Sequence, residues 1–292
     1  MNRKGIILAG GKGTRLYPLT KSVSKQLLPV YDKPMIYYPL STLMLSGIRD
    51  ILIVTSPEEL NRYKILLGDG SNFGINLQYI IQEKPIGLAH AFILGKKFIN
   101  NSPSTLILGD NIFYGNDISI ALLNASKYIN GATIFGYHVN NPKNYGVVNI
   151  CKNQKILSIE EKPKNPKSNY AVTGLYFYDK DVVDFAHDLK PSDRGELEIT
   201  DINNIYLKKK KLRLEIFKRG YAWLDAGNPE SLLEASQFVQ TMEKRQGLKI
   251  ACLEEIALKK NWISESDLEK TIVSLNNDNY KSYLINLLNK IE

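Results

Sequence analysis

Cysteine is nearly absent from this 292-residue chain: Cys151 and Cys252 are the only two, far apart and outside any metal-type spacing. Both read as packing residues, and the expected setting is a reducing one, the cytoplasm. Histidine is scarce too. His90, His138 and His187 fit neither a nucleophilic triad nor a metal-ligand spacing, so they read as packing or surface positions. No apolar run approaches membrane-spanning length, and the first apolar stretch is interrupted at once by glycines and Lys12, which excludes a spanning helix and a signal-peptide core. Internal repeats and low-complexity linkers are missing as well, and the length suits one large domain with an appendage. What is in excess is positive charge: 38 Lys and Arg against 30 Asp and Glu give a formal +8. That favours an anionic partner without choosing a triphosphate over a nucleic acid. The densest basic run, four lysines at 208–211, follows the helical spacing of Ile199, Ile202, Ile205 and Tyr206 and has no interleaved aromatics for base stacking. It reads as the solvated end of a helix, and neither a nucleic acid nor a membrane is an expected partner.

The feature that chooses lies at the amino terminus. Gly5-Ile6-Ile7-Leu8 is an apolar strand that empties into Ala9-Gly10-Gly11-Lys12-Gly13-Thr14-Arg15, with Lys25 and Pro29 behind it. Glycines let backbone N–H groups turn toward an anion, and Arg15 and Lys25 supply the charge that those dipoles only partly offset, so the run reads as a triphosphate loop. It is neither of the commonest phosphate loops. A Walker loop needs Gly-Lys followed directly by Ser or Thr, and Gly13 stands between Lys12 and Thr14; a dinucleotide loop needs a third glycine where Leu16 stands. A plain glycine turn leaves Arg15 and Lys25 without a reason.

Short β-branched runs at 5–8, 51–55, 77–81, 105–108 and 132–137 alternate with segments of helical spacing, the signature of an α/β fold. Runs apolar throughout predict a parallel sheet covered on both faces, with ligands beyond the carboxyl ends of its strands, where the glycine loop and Asp110 both fall. From 146 to 178 strand follows strand, with a turn at 162–166, which predicts an antiparallel insertion set against the main sheet. From Pro229 onward the spacing is helical, with stretches at 250–260, 267–275 and 280–291. Asp110, after its strand, and Asp225, in Trp223-Leu224-Asp225-Ala226-Gly227, are expected to point into one crevice. Two hard carboxylates beside a triphosphate are a sufficient protein contribution to Mg²⁺. Taken singly, each has a local alternative: Asp110 capping a following helix, Asp225 ending a turn.

Residues 8–20, with Lys25-Gln26-Leu27-Leu28-Pro29-Val30, resemble the signature of the sugar-phosphate nucleotidylyltransferases, and among them of the thymidylyl-transferring branch. Further stretches agree in the family's order: Gln82-Glu83-Lys84-Pro85-Ile86-Gly87-Leu88-Ala89, Leu108-Gly109-Asp110-Asn111, Tyr145-Gly146-Val147-Val148, Glu160-Glu161-Lys162-Pro163, Gly195-Glu196-Leu197-Glu198-Ile199-Thr200-Asp201 and Trp223 to Gly227. The resemblance implies a Rossmann-like, mostly parallel mixed sheet flanked by helices, of the nucleotide-diphospho-sugar transferase type. Residues 1–228 would be the catalytic α/β domain, with a small antiparallel sugar-binding insertion at about 140–195, and 229–292 a helical accessory region. It also implies a reaction in which a sugar 1-phosphate oxygen attacks the α-phosphorus of a nucleoside triphosphate and pyrophosphate leaves. The attacking phosphate is already anionic, so no general base is needed; the protein's task is to align two repelling anions and stabilise the transition state.

Residue by residue, the resemblance implies that Gly10, Gly11, Gly13 and Thr14 line the triphosphate and that Arg15, Lys25 and Lys162 are the catalytic cations. Gln26, Gln82 and Gly87 would read the base, and Asp110 would touch the nucleotide and, with Asp225, hold Mg²⁺. Asn111, Tyr145, Gly146, Glu161, Lys162, Val172 and Arg194 would bind the sugar phosphate; without the likeness, Glu161 and Lys162 read as a charged hairpin end. The implied substrates are dTTP and glucose 1-phosphate, giving dTDP-glucose on the way to dTDP-rhamnose and bacterial surface polysaccharide. UTP or another sugar phosphate is the alternative, since one base methyl is worth only about 1–3 kcal/mol. A non-catalytic nucleotide sensor or nucleic-acid binder is disfavoured, because a sensor needs no pair of metal carboxylates. The likeness further implies a homotetramer inhibited by dTDP-rhamnose at a second site, sought near Arg219, Gly220, Lys249 and Cys252. A helical tail in place of a β-helical acyltransferase repeat fits the short form of the family.

Overall fold

The computed structural model describes residues 2–11, 13–153 and 155–289. Lys12 of the glycine loop, and residues 290 and 291 at the end of the last expected helical stretch, lie outside them. The strands are β1 (Lys4–Leu8), a short hairpin of β2 (Pro29–Val30) and β3 (Lys33–Pro34), β4 (Asp50–Thr55), β5 (Asn76–Ile81), β6 (Ser104–Leu108), β7 (Asn111–Gly115), β8 (Ala132–His138), β9 (Gly146–Ile150), β10 (Ile156–Glu161), β11 (Tyr170–Tyr178), β12 (Leu212–Phe217) and β13 (Tyr221–Asp225). The helices are α1 (Tyr37–Leu45), α2 (Leu60–Leu67), α3 (His90–Leu94), α4 (Lys96–Ile99), α5 (Ile118–Lys127), α6 (Val182–His187), α7 (Ile199–Lys208), α8 (Pro229–Gln246), α9 (Leu253–Lys259), α10 (Glu265–Ser274) and α11 (Asp278–Leu288).

Nine of these strands form one mixed sheet. β1 lies between β4 and β6 and runs parallel to both, with β5 parallel beyond β4. Successive side chains of a strand point to opposite faces, and here both faces are covered: Ile7 enters one core with Leu40 and Leu43 of α1, while Ile6 and Leu8 enter another with Ala91 and Phe92 of α3. That two-sided burial is why β1 and β4 read as nearly unbroken apolar runs, while β5 at the edge keeps exposed Asn76 and Gln78.

The long strand β11 is where the sheet forks. On one edge it pairs with β8 antiparallel, and β12 continues parallel beyond β8. On the other edge its second half pairs with β6, from Leu175↔Ile107 to Tyr178↔Ser104, and its first half meets β9 at Ala171↔Val147. Between Val172 and Tyr176 the register with β8 slips, a bulge of the kind that re-aims a strand beside a site. The antiparallel segment β9–β10 is therefore a branch of the main sheet through β11; the expectation of an insertion set against that sheet gives way to one continuous with it. The parallel pairings β1–β4, β1–β6, β4–β5 and β8–β12 sit beside antiparallel ones because β11 is inserted between β6 and β8 in the reverse direction.

A second small sheet pairs β13 with β7, so that Asp225 stands opposite Asn111. Asn228 then caps α8, its Oδ1 accepting from the Ser231 N–H at 2.9 Å, with Pro229 in the first turn. Cys252 and Leu253 at the start of α9 share a core with Ile7 and Leu43, so the tail is packed onto the α/β layers. The lysines at 208–211 end α7, as their spacing predicts. Among the described residues no helix is long and apolar enough to cross a membrane.

Candidate active site

At the fork, chain leaving the carboxyl end of β6 crosses directly over β11. Gly174 permits this approach: a Cβ there would sit 2.5 Å from Asn111 Oδ1. Asn111 is buried at 1% exposure, and both ends of its amide are engaged. Its Oδ1 accepts from the Gly174 N–H at 3.0 Å and from the Trp223 indole N–H at 2.7 Å, and its amide donates to Asp110 Oδ1 at 3.1 Å. One side chain thus ties the end of β6, the bulge of β11 and strand β13 together, and that brings Asp110 and Asp225 side by side. Asp110 is followed by strand β7, so the helix-cap alternative does not apply.

The two aspartates do not share their charge equally. Both resist ionisation through burial. Lys25, paired with Asp110, overcomes that cost and draws the Asp110 carboxyl below the usual range. Asp225 is pushed up to about 6, by burial and then by the neighbouring Asp110, with Lys25 and Arg15 opposing only in part. Two adjacent carboxylates of which one resists ionisation form a site short of positive charge.

The cleft above them has a volume of about 270 Å³. Its walls bring together Gly10, Arg15, Lys25, Gln26, Asp110, Asn111, Tyr145, Gly146, Glu161, Lys162, Val172, Arg194 and Asp225, contributed by chain segments from the amino terminus to β13. Gln26 is 1% exposed, and its Oε1 is a buried acceptor with no hydrogen-bond partner among the described residues, an open position for a donor. Lys162 holds a left-handed backbone, φ 43°, at the end of β10, where its N–H donates to the Tyr145 carbonyl at 3.0 Å. For a residue with a Cβ that conformation costs about 1–3 kcal/mol, and such strain is characteristic of functional positions. Glu161 Oε2 accepts from the Thr200 hydroxyl at 2.6 Å. Arg194 Nη2 is held by both oxygens of Glu198, at 2.8 and 2.9 Å, and lies 3.5 Å from Glu161.

Other expected residues lie elsewhere. Gly11 and Gln82 line an adjoining cavity of about 570 Å³, on the far side of the glycine loop. Gly13 and Thr14 line neither cavity; Gly13 is fastened by the Thr20 hydroxyl, which donates to its carbonyl at 2.9 Å. Gly87 has a steric reason of its own: at φ 110° any Cβ would run into the Leu197 backbone, to which Ile86 and Ala89 are hydrogen-bonded. Lys249 and Cys252 line a separate groove of about 460 Å³ with Tyr114, Gly115 and Ile118, while Arg219 and Gly220 sit in the turn before β13 and off its wall. Cys252 is 1% exposed and its thiol is pushed up by burial, so it stays protonated.

The cleft also contains residues given no role from sequence, chiefly Leu88, Gly174, Tyr176, Glu198, Thr200 and Trp223. Leu88, Glu198, Thr200 and Trp223 stand inside the quoted motifs and could have been found by asking what surrounds each marked residue. Gly174 and Tyr176 carry no local signal; only the fork in β11 brings them here.

The donor set suits a hard divalent cation. The Asp110–Asp225 pair offers hard carboxylate oxygens beside a lysine that would meet phosphate. Among the described residues no cluster of three or more His, Cys, Asp or Glu is arranged to hold a metal, so the remaining ligands would have to be substrate oxygens and water.

A carboxylate pair lined with lysine and arginine at a fork in a mixed α/β sheet is an arrangement suited to nucleotidyl transfer, and the comparisons give that class of enzyme. The nucleotidyl transferase family matches residues 4–242, and the chain belongs to that family of enzymes. Over 287 residues it is 58% identical to a glucose-1-phosphate thymidylyltransferase of Neisseria meningitidis, covering 98% of this chain and all of that one. A Bacillus anthracis structure assigned as the same enzyme, in complex with sucrose, is 46% identical, with a TM-score of 0.75 over 81% of this chain and 94% of that one. A UDP-glucose pyrophosphorylase complexed with UDP-glucose is similar at 27% identity and a TM-score of 0.72, covering 83% of this chain and all of that one.

Proposed function

We propose that this protein transfers a thymidylyl group from dTTP to glucose 1-phosphate, giving dTDP-glucose and pyrophosphate. The observation that carries the reading is the Asp110–Asp225 pair, electrostatically incomplete and bordered by Lys25 on one side and Lys162 on the other. The names of relatives 45–58% identical over nearly the whole chain support the same substrates. Asp110 and Asp225 would hold Mg²⁺, which when bound supplies charge to neutralise the phosphates. Gly10 and Gly11 would present backbone N–H groups to the triphosphate, with Gly13 and Thr14 shaping the loop behind them. Arg15 and Lys25 counter the charge that grows on the departing pyrophosphate, and Lys162 and Arg194 hold the sugar phosphate in line with the α-phosphorus. Glu161, fixed by Thr200, accepts hydrogen bonds from sugar hydroxyls. Gln26, Gln82 and Gly87 face the base, with Gln82 meeting it from the adjoining cavity.

The similarity to a UDP-glucose pyrophosphorylase favours UTP as the second reading. Pyrophosphate release, measured for dTTP and UTP against glucose, galactose, mannose and N-acetylglucosamine 1-phosphates, separates the two. Release confined to dTTP with glucose 1-phosphate supports the first; turnover led by UTP replaces it with the second. The wider reading includes a cytoplasmic homotetramer, supplying dTDP-rhamnose synthesis for surface polysaccharide and inhibited by dTDP-rhamnose. The groove beside Lys249 and Cys252 supports a second ligand site, and inhibition that survives Lys249→Ala would remove it from that role.

A further inference from the structure

Glu198 is 8% exposed, stands immediately before α7, and lines the cleft without a role drawn from sequence. The chain that carries it is fixed. The Leu197 N–H donates to the Ile86 carbonyl at 2.7 Å and the Leu197 carbonyl accepts from the Ala89 N–H at 3.2 Å, so Glu198 shares a backbone frame with the segment that holds Gly87. Its carboxylate is a clamp. Oε1 accepts from the Ser192 hydroxyl at 2.7 Å and from Arg194 Nε at 3.2 Å, and Arg194 Nη2 donates to Oε1 and Oε2 at 2.8 and 2.9 Å. A guanidinium has donors only and keeps its charge, so the direction of these bonds cannot be exchanged.

The clamp sets which edge of Arg194 is occupied. Nε and Nη2 are taken by Glu198, while Nη1 makes no hydrogen bond among the described residues, which leaves a pair of N–H donors on a residue of the cleft wall. It also sets what Arg194 does not do. Glu161 keeps Oε2 on the Thr200 hydroxyl, and its Oε1 lies 3.5 Å from Arg194 Nη2, with a Glu196 oxygen at 3.7 Å. A guanidinium released from Glu198 has Glu161 within reach, and that pairing would withdraw a cation and a hydroxyl acceptor from the substrate together. We propose that Glu198 is a positioning residue, which presents the open edge of Arg194 to the phosphate of the sugar 1-phosphate and holds Arg194 off Glu161. The inference rests on the proposed transfer to glucose 1-phosphate and on Arg194 as a contact of its phosphate.

The test measures pyrophosphate release from dTTP and glucose 1-phosphate for the wild type, Glu198→Gln, Arg194→Ala and the double variant, with equilibrium binding of dTTP and thermal melting alongside. Glu198→Gln keeps the length of the side chain but offers one acceptor oxygen where the carboxylate offers two. It should raise the KM for glucose 1-phosphate about tenfold while the KM and Kd for dTTP stay within about twofold of wild type, because only the sugar-phosphate side loses its orientation. Arg194→Ala should raise the same KM at least as far. In that background Glu198→Gln should add nothing, whereas a packing defect at the start of α7 would act there too. Ser192→Ala removes one donor from the clamp and leaves both charges, so it should move the same KM the same way by about two- to threefold, and it carries the test if Glu198→Gln does not fold. An unchanged KM for glucose 1-phosphate in Glu198→Gln and Ser192→Ala, with Arg194→Ala impaired, would overturn the inference and leave the proposed function standing. A lowered KM would overturn it as well, since Glu198 would then restrain Arg194 instead of presenting it. Wild-type kinetics in Arg194→Ala would remove the residue that Glu198 is said to position. A wild type inactive with this substrate pair removes both readings.

Discussion

Two places in this molecule gather buried carboxylates and lysines, and they reach opposite electrostatic outcomes. Beneath the tail, Lys33 and Lys249 each pair with both Asp32 and Glu243. Two cations meet two anions. Burial opposes the charges of Asp32 and Lys249, yet their partners prevail: the Asp32 carboxyl lies below its usual range and the Lys249 ammonium above its own. In the cleft, Lys25 serves Asp110, and Asp225 is left to resist ionisation. A cluster that neutralises itself has no need of a ligand; it staples the end of α8 and the Ile250 backbone, whose N–H donates to Glu243 at 2.9 Å, to the β2–β3 hairpin. A cluster short of positive charge is completed from solution. The same residue types thus build a fastening in one place and a reaction site in the other, and charge balance tells them apart.

The comparison is sharpened by removing one charge at a time. Asp110→Asn should lower turnover by about three orders of magnitude or more while leaving thermal melting close to wild type, because it removes a metal ligand and not a fastening. Near-normal turnover at ordinary Mg²⁺ would break the assignment. Arg15→Ala should cost about 10²–10³-fold in kcat with a smaller change in the KM for dTTP, since Arg15 is exposed at the mouth and its charge matters most as pyrophosphate departs. Equal losses in both would place Arg15 in ground-state binding instead. Lys33→Met should do the reverse of Asp110→Asn. It leaves Asp32 and Glu243 to share Lys249 around a 3%-exposed position and should destabilise by about 3 kcal/mol. That is a fall of roughly 10 °C in melting temperature, with kcat/KM unchanged at temperatures where the variant is folded. Loss of activity without loss of stability would erase the distinction between the two clusters.

Much of this was legible in the sequence. The five apolar runs became β1, β4, β5, β6 and β8 almost to the residue, because β1, β4, β6 and most of β8 are buried and have few polar positions to blur their limits, and β5 keeps its apolar core at Leu77, Tyr79, Ile80 and Ile81. The glycine loop, Asp110 and Asp225 are visible because chemistry restricts them to few residue types. The fork was not legible. That β11 runs reversed between β6 and β8, and draws β9 and β10 into the main sheet, depends on pairings across tens of residues, which local alternation does not encode. For the same reason Tyr176 and Gly174 were silent. The tail's ion-pair cluster was silent because Asp32, Lys33, Glu243 and Lys249 read singly as surface charge.

The smallest effect tests the charge deficit itself, without substrate. Asp225 has a folded-state pKa of about 6 against 3.8 for the free side chain, so between those values the folded protein holds more protons than the unfolded chain. Stability contributed by this group is therefore fully present below about pH 4 and is lost as pH rises through 6. Asp225→Asn is neutral throughout and escapes the loss. Relative to wild type, and with chelator present, it should gain about 2–3 kcal/mol between pH 4 and pH 7.5, read by urea unfolding at the two pH values. Asp32→Asn should show no such gain over this range: burial opposes the Asp32 charge, but Lys249 and Lys33 hold its carboxyl below the usual range, so its contribution is already largely present at pH 4 and is lost only as pH falls further. If the two differences ran parallel with pH, both clusters would be electrostatically complete, and the argument that the cleft recruits a cation while the tail does not would fail.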